Sequence, residues 1–444
     1  MPSDAKLGAV RTLIETAPDA ALSSLRTALG PVQVGPMAAI RELVEGEQLN
    51  RAFRSEVFQP LLPLFGPRPP FAGPSFAPGA LGALWRALQA QRPELIKAAI
   101  AARADWRPGD GAPETYDDVL RGAAELLRAG AVPEIDAAAG AAIAAAIDLG
   151  PLARGLLDRL SDWMGKATDE RIAALKLAFR DATALAEDAT PRLLEIVLAH
   201  LPEPWLILRL IAVLTDRAGD RYLSSSELAP FGQRLLADVE ARIDRVRNFD
   251  AQGGGEGALA VARDVVAACS CMAEMEQSVD LSRDGPWGSR VMAARKSLAA
   301  NVESRLRETD ALVAQALPLA TVRIAGRMTR PAPKLTADPD ARLVERARAL
   351  LVLVHESRAT AAVGGYGALR NQVAEKVTER LNVYADELLH LLNAGEAPDE
   401  MRAQAYLALA AEFLGYVADP QAAQIVRRRA AVAGAASHPS QDVA

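Results

Sequence analysis

Apolar residues recur at steps of three and four along nearly the whole chain, and strand-length alternation is missing. Such steps place side chains on one helix face, so the pattern predicts a succession of amphipathic helices. Leu7, Val10, Leu13 and Ile14 form a first stripe. Leu22, Leu25 and Leu29 form a second, and Ile40, Leu43, Val44 and Leu49 a third. Pro18, Pro31 and Pro36 separate them, because proline cannot continue an established helix. Farther on, Ile172, Leu175, Phe179 and Ala182 share one face. So do Leu236, Val239, Ile243 and Val246, with Ser224 and Glu227 spaced as a capping box before that helix.

The second half predicts longer helices over 289–317 and 367–393, joined through a shorter one at 341–357, with Leu381 and Leu388 inside the apolar stripe of the last long helix. Helices of this length fit a bundle or an intersubunit coiled coil. The stretch RMTRPAPKLTADPD reads as a loop, and the tail from 434 to 444 as disordered.

Proline and glycine divide the chain. Pro113, Pro151, Pro191 and Pro230 fall about 40 residues apart, with two helix-sized patterns in each interval. A two-helix unit of that length is the footprint of HEAT- or armadillo-like solenoids. The fold expectation is therefore all-α, a helical-repeat (α-solenoid-like) array followed by a helical bundle. Its parts are N-terminal helices (1–56), a Pro/Phe-rich connection (57–80), a helical-hairpin array (81–250), a Gly-rich break (251–257), a bundle (258–433) and a tail. In 57–80, seven prolines forbid regular helix, and Phe58, Phe65, Phe71 and Phe76 sit among them. Four phenylalanines suit an extended segment packed on a surface, or one that docks a partner.

Composition narrows the function classes. Net charge is −6, which argues against nucleic acid as a partner. Two cysteines, Cys269 and Cys271, lie two apart, where a helix turns them about 200° from each other; free core thiols and a reducing, cytoplasmic compartment follow as expectations. Residues 1–30 lack the pattern of a signal peptide. The apolar stretch 193–214 contains Glu195, His200, Glu203 and Arg209, which suits a buried helix pair better than a span. Alanine and arginine excess fits a GC-rich genome.

Motifs that carry chemistry are thin. Glu387 and His390 have the Glu-x-x-His spacing of di-iron bundles, yet such sites need a second copy and two more glutamates. His355–Glu356 lacks a third group, and the Cys269/Cys271 pair lacks two further zinc ligands. Ser3 and Lys6 match Ser-x-x-Lys at a chain end without companion motifs. Gly364, Gly365 and Gly367 lack the strand and lysine of a phosphate loop and read as a turn before a helix. No cofactor or metal is expected.

Two basic clusters stand out. Arg323, Arg327, Arg330 and Lys334 have no acid between them, and Arg427, Arg428 and Arg429 are read as closing the last helix, where they would complement its dipole. The expected function is a non-enzymatic scaffold or adaptor for one or more protein partners, with homo-oligomerisation open. The candidate partner-binding residues are Phe58, Phe65, Phe71, Phe76, Arg323, Arg327, Arg330 and Lys334. The alternatives are a regulatory or membrane-peripheral assembly factor using the basic loop on an anionic surface, and an enzyme whose site gathers scattered Asp, Glu and Arg.

Overall fold

A computed structural model describes residues 4–32, 34–66, 73–107, 111–164, 168–215, 219–323, 329–418 and 420–436. Helix makes up 78% of the structure, which fixes the class as all-α. Two compact units divide between Leu214 and Thr215.

The first unit contains α1 (Asp4–Thr16), α2 (Asp19–Leu29), α3 (Pro36–Val57), α4 (Pro78–Gln91), α5 (Pro93–Asp105), α6 (Glu114–Arg128), α7 (Ala137–Asp148), α8 (Gly150–Leu157), α9 (Leu160–Met164), α10 (Asp169–Leu185), α11 (Ala189–Leu198) and α12 (Ile207–Leu214). Ile14, Leu22 and Val44 form a small buried core among α1, α2 and α3. Arg51 of α3 fastens the corner between α1 and α2. Its Nη2 donates to the carbonyls of Ile14 and Glu15, each at 3.1 Å, and its Nη1 donates to the Ala17 carbonyl at 2.8 Å and to Asp19 Oδ1 at 2.6 Å. These acceptors include carbonyls that the end of α1 leaves unpaired.

Beyond α3 the chain does not run extended as the prolines suggested. Gln59–Phe65 forms a 3₁₀ helix, which tolerates Pro60 in its first turn. Phe58, Leu61 and Leu64 are buried there, and the Phe65 and Phe76 rings meet at 5.3 Å. Phe53 sets its ring edge-on to Trp85 and to Tyr116, 5.9 Å from each, and so joins α3, α4 and α6. The four spaced prolines all lie at helix starts: Pro113 caps α6, and Pro151, Pro191 and Pro230 lie in first turns. The even two-helix interval holds only between the first two of them. Later intervals contain three or more short elements, because Gly150 and the 201–206 corner restart helices early.

The second unit contains α13 (Asp220–Leu223), α14 (Ala229–Arg247), α15 (Gly254–Ser278), α16 (Pro286–Ala316), β1 (Leu319–Arg323), β2 (Thr329–Pro333), α17 (Ala341–Glu356), α18 (Ala361–Gly364), α19 (Gly367–Asn393), α20 (Glu400–Val417) and α21 (Pro420–Ala436). The glycine run expected as a break instead opens α15, inside this unit. Gly254, at φ +69°, supplies the left-handed turn into the helix, and α15 then packs on α14 and α17. Ser224 does not cap α14. Ser226 Oγ instead accepts the Leu228 amide at 3.2 Å, two residues closer to the helix.

α16 packs on α14, α17 and α19, and α20 on α17, α19 and α21. Leu298, Val302, Leu351, Val377, Leu381, Leu388 and Leu407 are fully buried among them. Each such side chain contributes roughly 1.5–3 kcal/mol on burial. Gly232 of α14 lies against the Trp287 ring, where a side chain at 232 would have no room. Asp220 accepts the amides of Trp287 and Gly288 at the start of α16, each at 3.0 Å.

The expected loop after α16 contains a ribbon, with Leu319 paired to Pro333 and Thr321 to Pro331. Pro331 and Pro333 are two apart, so both missing N–H groups lie on the same side of a ribbon that has only edges. Gly434–Ala436 continue α21 rather than joining a disordered tail, and 437–444 lie outside the described residues. Among the described residues no single helix is long and apolar enough to cross a membrane. α7 and α8 together have the length and composition but bend by 46° at their junction.

Candidate functional site

The residues singled out in the sequence separate into different places. Phe58 is fully buried, Phe65 and Phe76 nearly so, and all three belong to the core of the first unit. Of the two readings of 57–80, packing is what these rings do, and their burial removes them from the candidate partner-binding set. Phe71 lies outside the described residues.

Of the basic loop, Arg323 ends β1, Arg330 lies in β2, and Arg327 is outside the described residues. Arg330 Nη1 stands 3.6 Å from Glu387 Oε2 on α19. Glu387 therefore faces a guanidinium, and the Glu-x-x-His pair gathers no further ligand. Among the described residues no three His, Cys, Asp or Glu side chains converge as a metal site. Lys334 is exposed.

Arg427–Arg429 do not close α21, which runs on to Ala436, so the helix-end explanation of that cluster fails. Arg429 reaches Asp386 on α19 at 2.9 Å. His355 Nδ1 lies 3.1 Å from the Tyr416 carbonyl, an ordinary helix-to-helix tie. Gly364–Gly367 make the expected turn, with Gly365 at φ +81° between α18 and α19. Cys269 and Cys271 are free and buried, and burial pushes their thiols up to about 11 and about 12. Ser3 lies outside the described residues.

In the first unit α3, α6 and α8 contribute Glu56, Tyr116 and Arg154 to a cleft of about 890 Å3. Gln59, Trp106 and Arg159 complete its working wall. Arg154 is only 8% exposed, because α8 (GPLARGLL) turns Ala153, Arg154 and Leu156 inward together. Its Nη2 donates to the Val57 carbonyl at 2.8 Å, and its guanidinium lies 5.5 Å from the centre of the Tyr116 ring. Among the described residues its Nε is buried without a hydrogen bond. The nearest carboxylate oxygen to it, Asp117 Oδ1 at 3.8 Å, is equally unsatisfied.

Glu56 is already occupied. Tyr116 Oη donates to its Oε1 at 2.6 Å, and Arg103 Nε stands 2.9 Å from its Oε2. Burial pulls the Arg154 guanidinium below its ordinary value, against the pull of Asp117 and Asp158. Burial pushes the Asp117 carboxyl up, opposed by Arg154. Burial, and then donation to Glu56, raises the Tyr116 hydroxyl. These are the marks of charges held with too few partners.

None of Glu56, Tyr116 or Arg154 was singled out by sequence reasoning, because three separate helices bring them together. One signal was available: Arg154 is the lone charge in an otherwise apolar octamer. A second cleft of about 830 Å3 lies in the other unit along α19, lined by Arg358, Arg370, Glu375, Glu379 and Asp386. There Arg370 is satisfied, with Nε donating to the Val354 carbonyl at 3.2 Å and Nη1 to Asn371 Oδ1 at 3.2 Å. The chain matches no family model, no curated protein and no solved structure in comparisons with each.

Proposed function

We propose that the chain is a non-enzymatic helical interaction protein, whose N-terminal helices α1–α3 offer apolar side chains to the apolar face of a helix from a protein partner. The carrying observation is where the exposed apolar residues lie. Five of the eighteen large apolar side chains exposed among the described residues fall within the first 49 positions: Leu13, Leu25, Val34, Met37 and Leu49. Leu13 and Leu49 are each 69% exposed, next to a private core whose fully buried members are only Ile14, Leu22 and Val44. Scattered exposed leucines need no explanation, but this density in the first three helices and the turn before α3 favours a surface that something covers. A helix presenting its own apolar stripe is the chemistry that fits, because it brings no unpaired backbone groups to the contact.

The experiment replaces Leu13 and Leu49 together by Asp and compares proteins retained from native lysate by the wild-type and variant chains. The expected result is a stoichiometric protein retained by the wild type and lost from the variant at unchanged melting temperature. Identical retention by both would overturn the reading. A wild-type dimer dissolved by the same substitutions would assign the surface to self-association instead.

A further inference from the structure

We propose that the Glu56–Tyr116–Arg154 cleft of the first unit binds a small organic monocarboxylate with an apolar or aromatic body. The inference concerns none of the exposed apolar residues of the partner reading, although α3 also supplies Glu56, and it stands independently of that reading. Its starting point is the unfinished bonding of Arg154. A guanidinium carries five N–H donors, and a buried one is costly unless they are met. The protein meets one of them well, through the Val57 carbonyl at 2.8 Å. Nε is sealed against an Asp117 oxygen too distant for a hydrogen bond. Among the described residues Nη1 makes no hydrogen bond, and the side chain lines the cleft.

The sign and number of charges choose the ligand. Glu56 is neutralised by Arg103 and held by Tyr116, so it repels an incoming anion weakly. Asp158 and Arg159 also line the cleft, one charge of each sign, and Asp158 acts on Arg154 at longer range than Asp117. Asp117 at 3.8 Å offsets the charge of Arg154 in part without a hydrogen bond, and the unmet guanidinium donors suit one carboxylate group. A phosphate dianion would bring a second charge for which the cleft holds no second buried cation. A cationic ligand would meet Arg154 directly.

Apart from Gln59, the rest of the wall is apolar or backbone. Trp106 is 36% exposed, and its indole N–H donates to the Gly111 carbonyl at 3.0 Å, which holds the ring in place. Pro113 and the Tyr116 ring lie on the same cleft. A volume of about 890 Å3 accommodates a small-molecule ligand.

The test titrates the full chain with benzoate, phenylacetate and hexanoate, following tryptophan fluorescence and ligand-detected NMR. Benzamide and inorganic phosphate serve as controls. Saturable binding of at least one carboxylate is expected, with benzamide and phosphate inert. Arg154→Lys keeps the charge but loses the fork, and should weaken binding about tenfold. Because that variant also touches the Val57 carbonyl, Trp106→Ala serves beside it, as its ring is on the rim. It should weaken benzoate more than hexanoate, with melting unchanged. Failure of all three carboxylates to bind would overturn the proposal. So would benzamide binding as well as benzoate, or wild-type affinity in both variants.

Discussion

Asp220 accepts the backbone amide of Gly288 across 68 positions of sequence, and with the same carboxylate accepts that of Trp287. It serves as a distant N-cap for α16, a helix of 31 residues. Side-chain capping from outside the helix meets the same need as an adjacent Ser or Asp. Replacing Asp220 by Ala leaves two buried amides without acceptors and should destabilise the second unit by about 2–4 kcal/mol. Urea denaturation measures it. A change below about 0.5 kcal/mol would show that water replaces the carboxylate.

Acid sensitivity should reside partly at Asp310. Burial pushes its carboxyl upward, yet Arg380 at 2.8 Å and Lys376 at 2.9 Å more than reverse this and hold it below the ordinary range. A carboxyl depressed by folding stabilises the fold above the unfolded value of about 3.9, and that contribution is lost as pH falls through the folded value. Unfolding free energies measured from pH 6 to pH 2 should fall less steeply for Asp310→Asn than for wild type in the range below about 4. Parallel curves would sink the assignment.

The stripe of α19 is a further point of attack. Leu388 is fully buried, and Leu388→Ala should cost about 2–5 kcal/mol. Leu388→Asp, with a buried charge and no partner, should abolish cooperative melting of the second unit. An unaltered melt in the Asp variant would mean that the helix does not pack as described.

Thiol reactivity offers a simple readout. With the Cys269 and Cys271 thiols raised to about 11 and about 12, the native chain should react negligibly with Ellman's reagent at pH 8. Both should titrate after denaturation in guanidinium. Rapid native reaction of either would place that side chain at the surface.

Dividing the chain should work at one place and fail at another. Residues 1–214 and 215–444, expressed separately, should each melt cooperatively, as two compact units would. A split between Gly253 and Gly254 removes α14 from its contacts with α15 and α16 and should leave the C-terminal piece without a cooperative transition. The reverse pattern would move the boundary to the glycine run.

Long elements were the most legible part of the sequence. The stripe from Leu369 to Leu391 gave α19 its limits, 367–393, because seven turns of consistent apolar spacing leave little room for another reading. The helix expected over 289–317 begins three residues sooner, at Pro286, since proline fits a first turn where its missing N–H is not needed. Proline and glycine misled where packing overrode local preference. Gln59–Phe65 took a 3₁₀ form around Pro60 and Pro63, and Gly254–Gly257 became helix once α15 had α14 and α17 to lean on. Of the cleft only the lone charge of Arg154 in an apolar octamer was legible. Glu56, Tyr116 and Arg154 belong to three helices, and no spacing along the chain encodes that they meet.

The corner gathered by Arg51 has a consequence for how the chain can drift. Most of its acceptors are main-chain carbonyls, at Ile14, Glu15 and Ala17, and a carbonyl is the same whatever side chain it carries. The exposed positions of the α1–α2 corner can therefore change in descendants of this gene without loosening it, while Ile14 is held by the core and Asp19 by the guanidinium. Position 51 cannot, because the compact ammonium of lysine lacks the planar fork that reaches several oxygens at once. In a family of such chains, one invariant arginine would face a turn variable at its exposed positions.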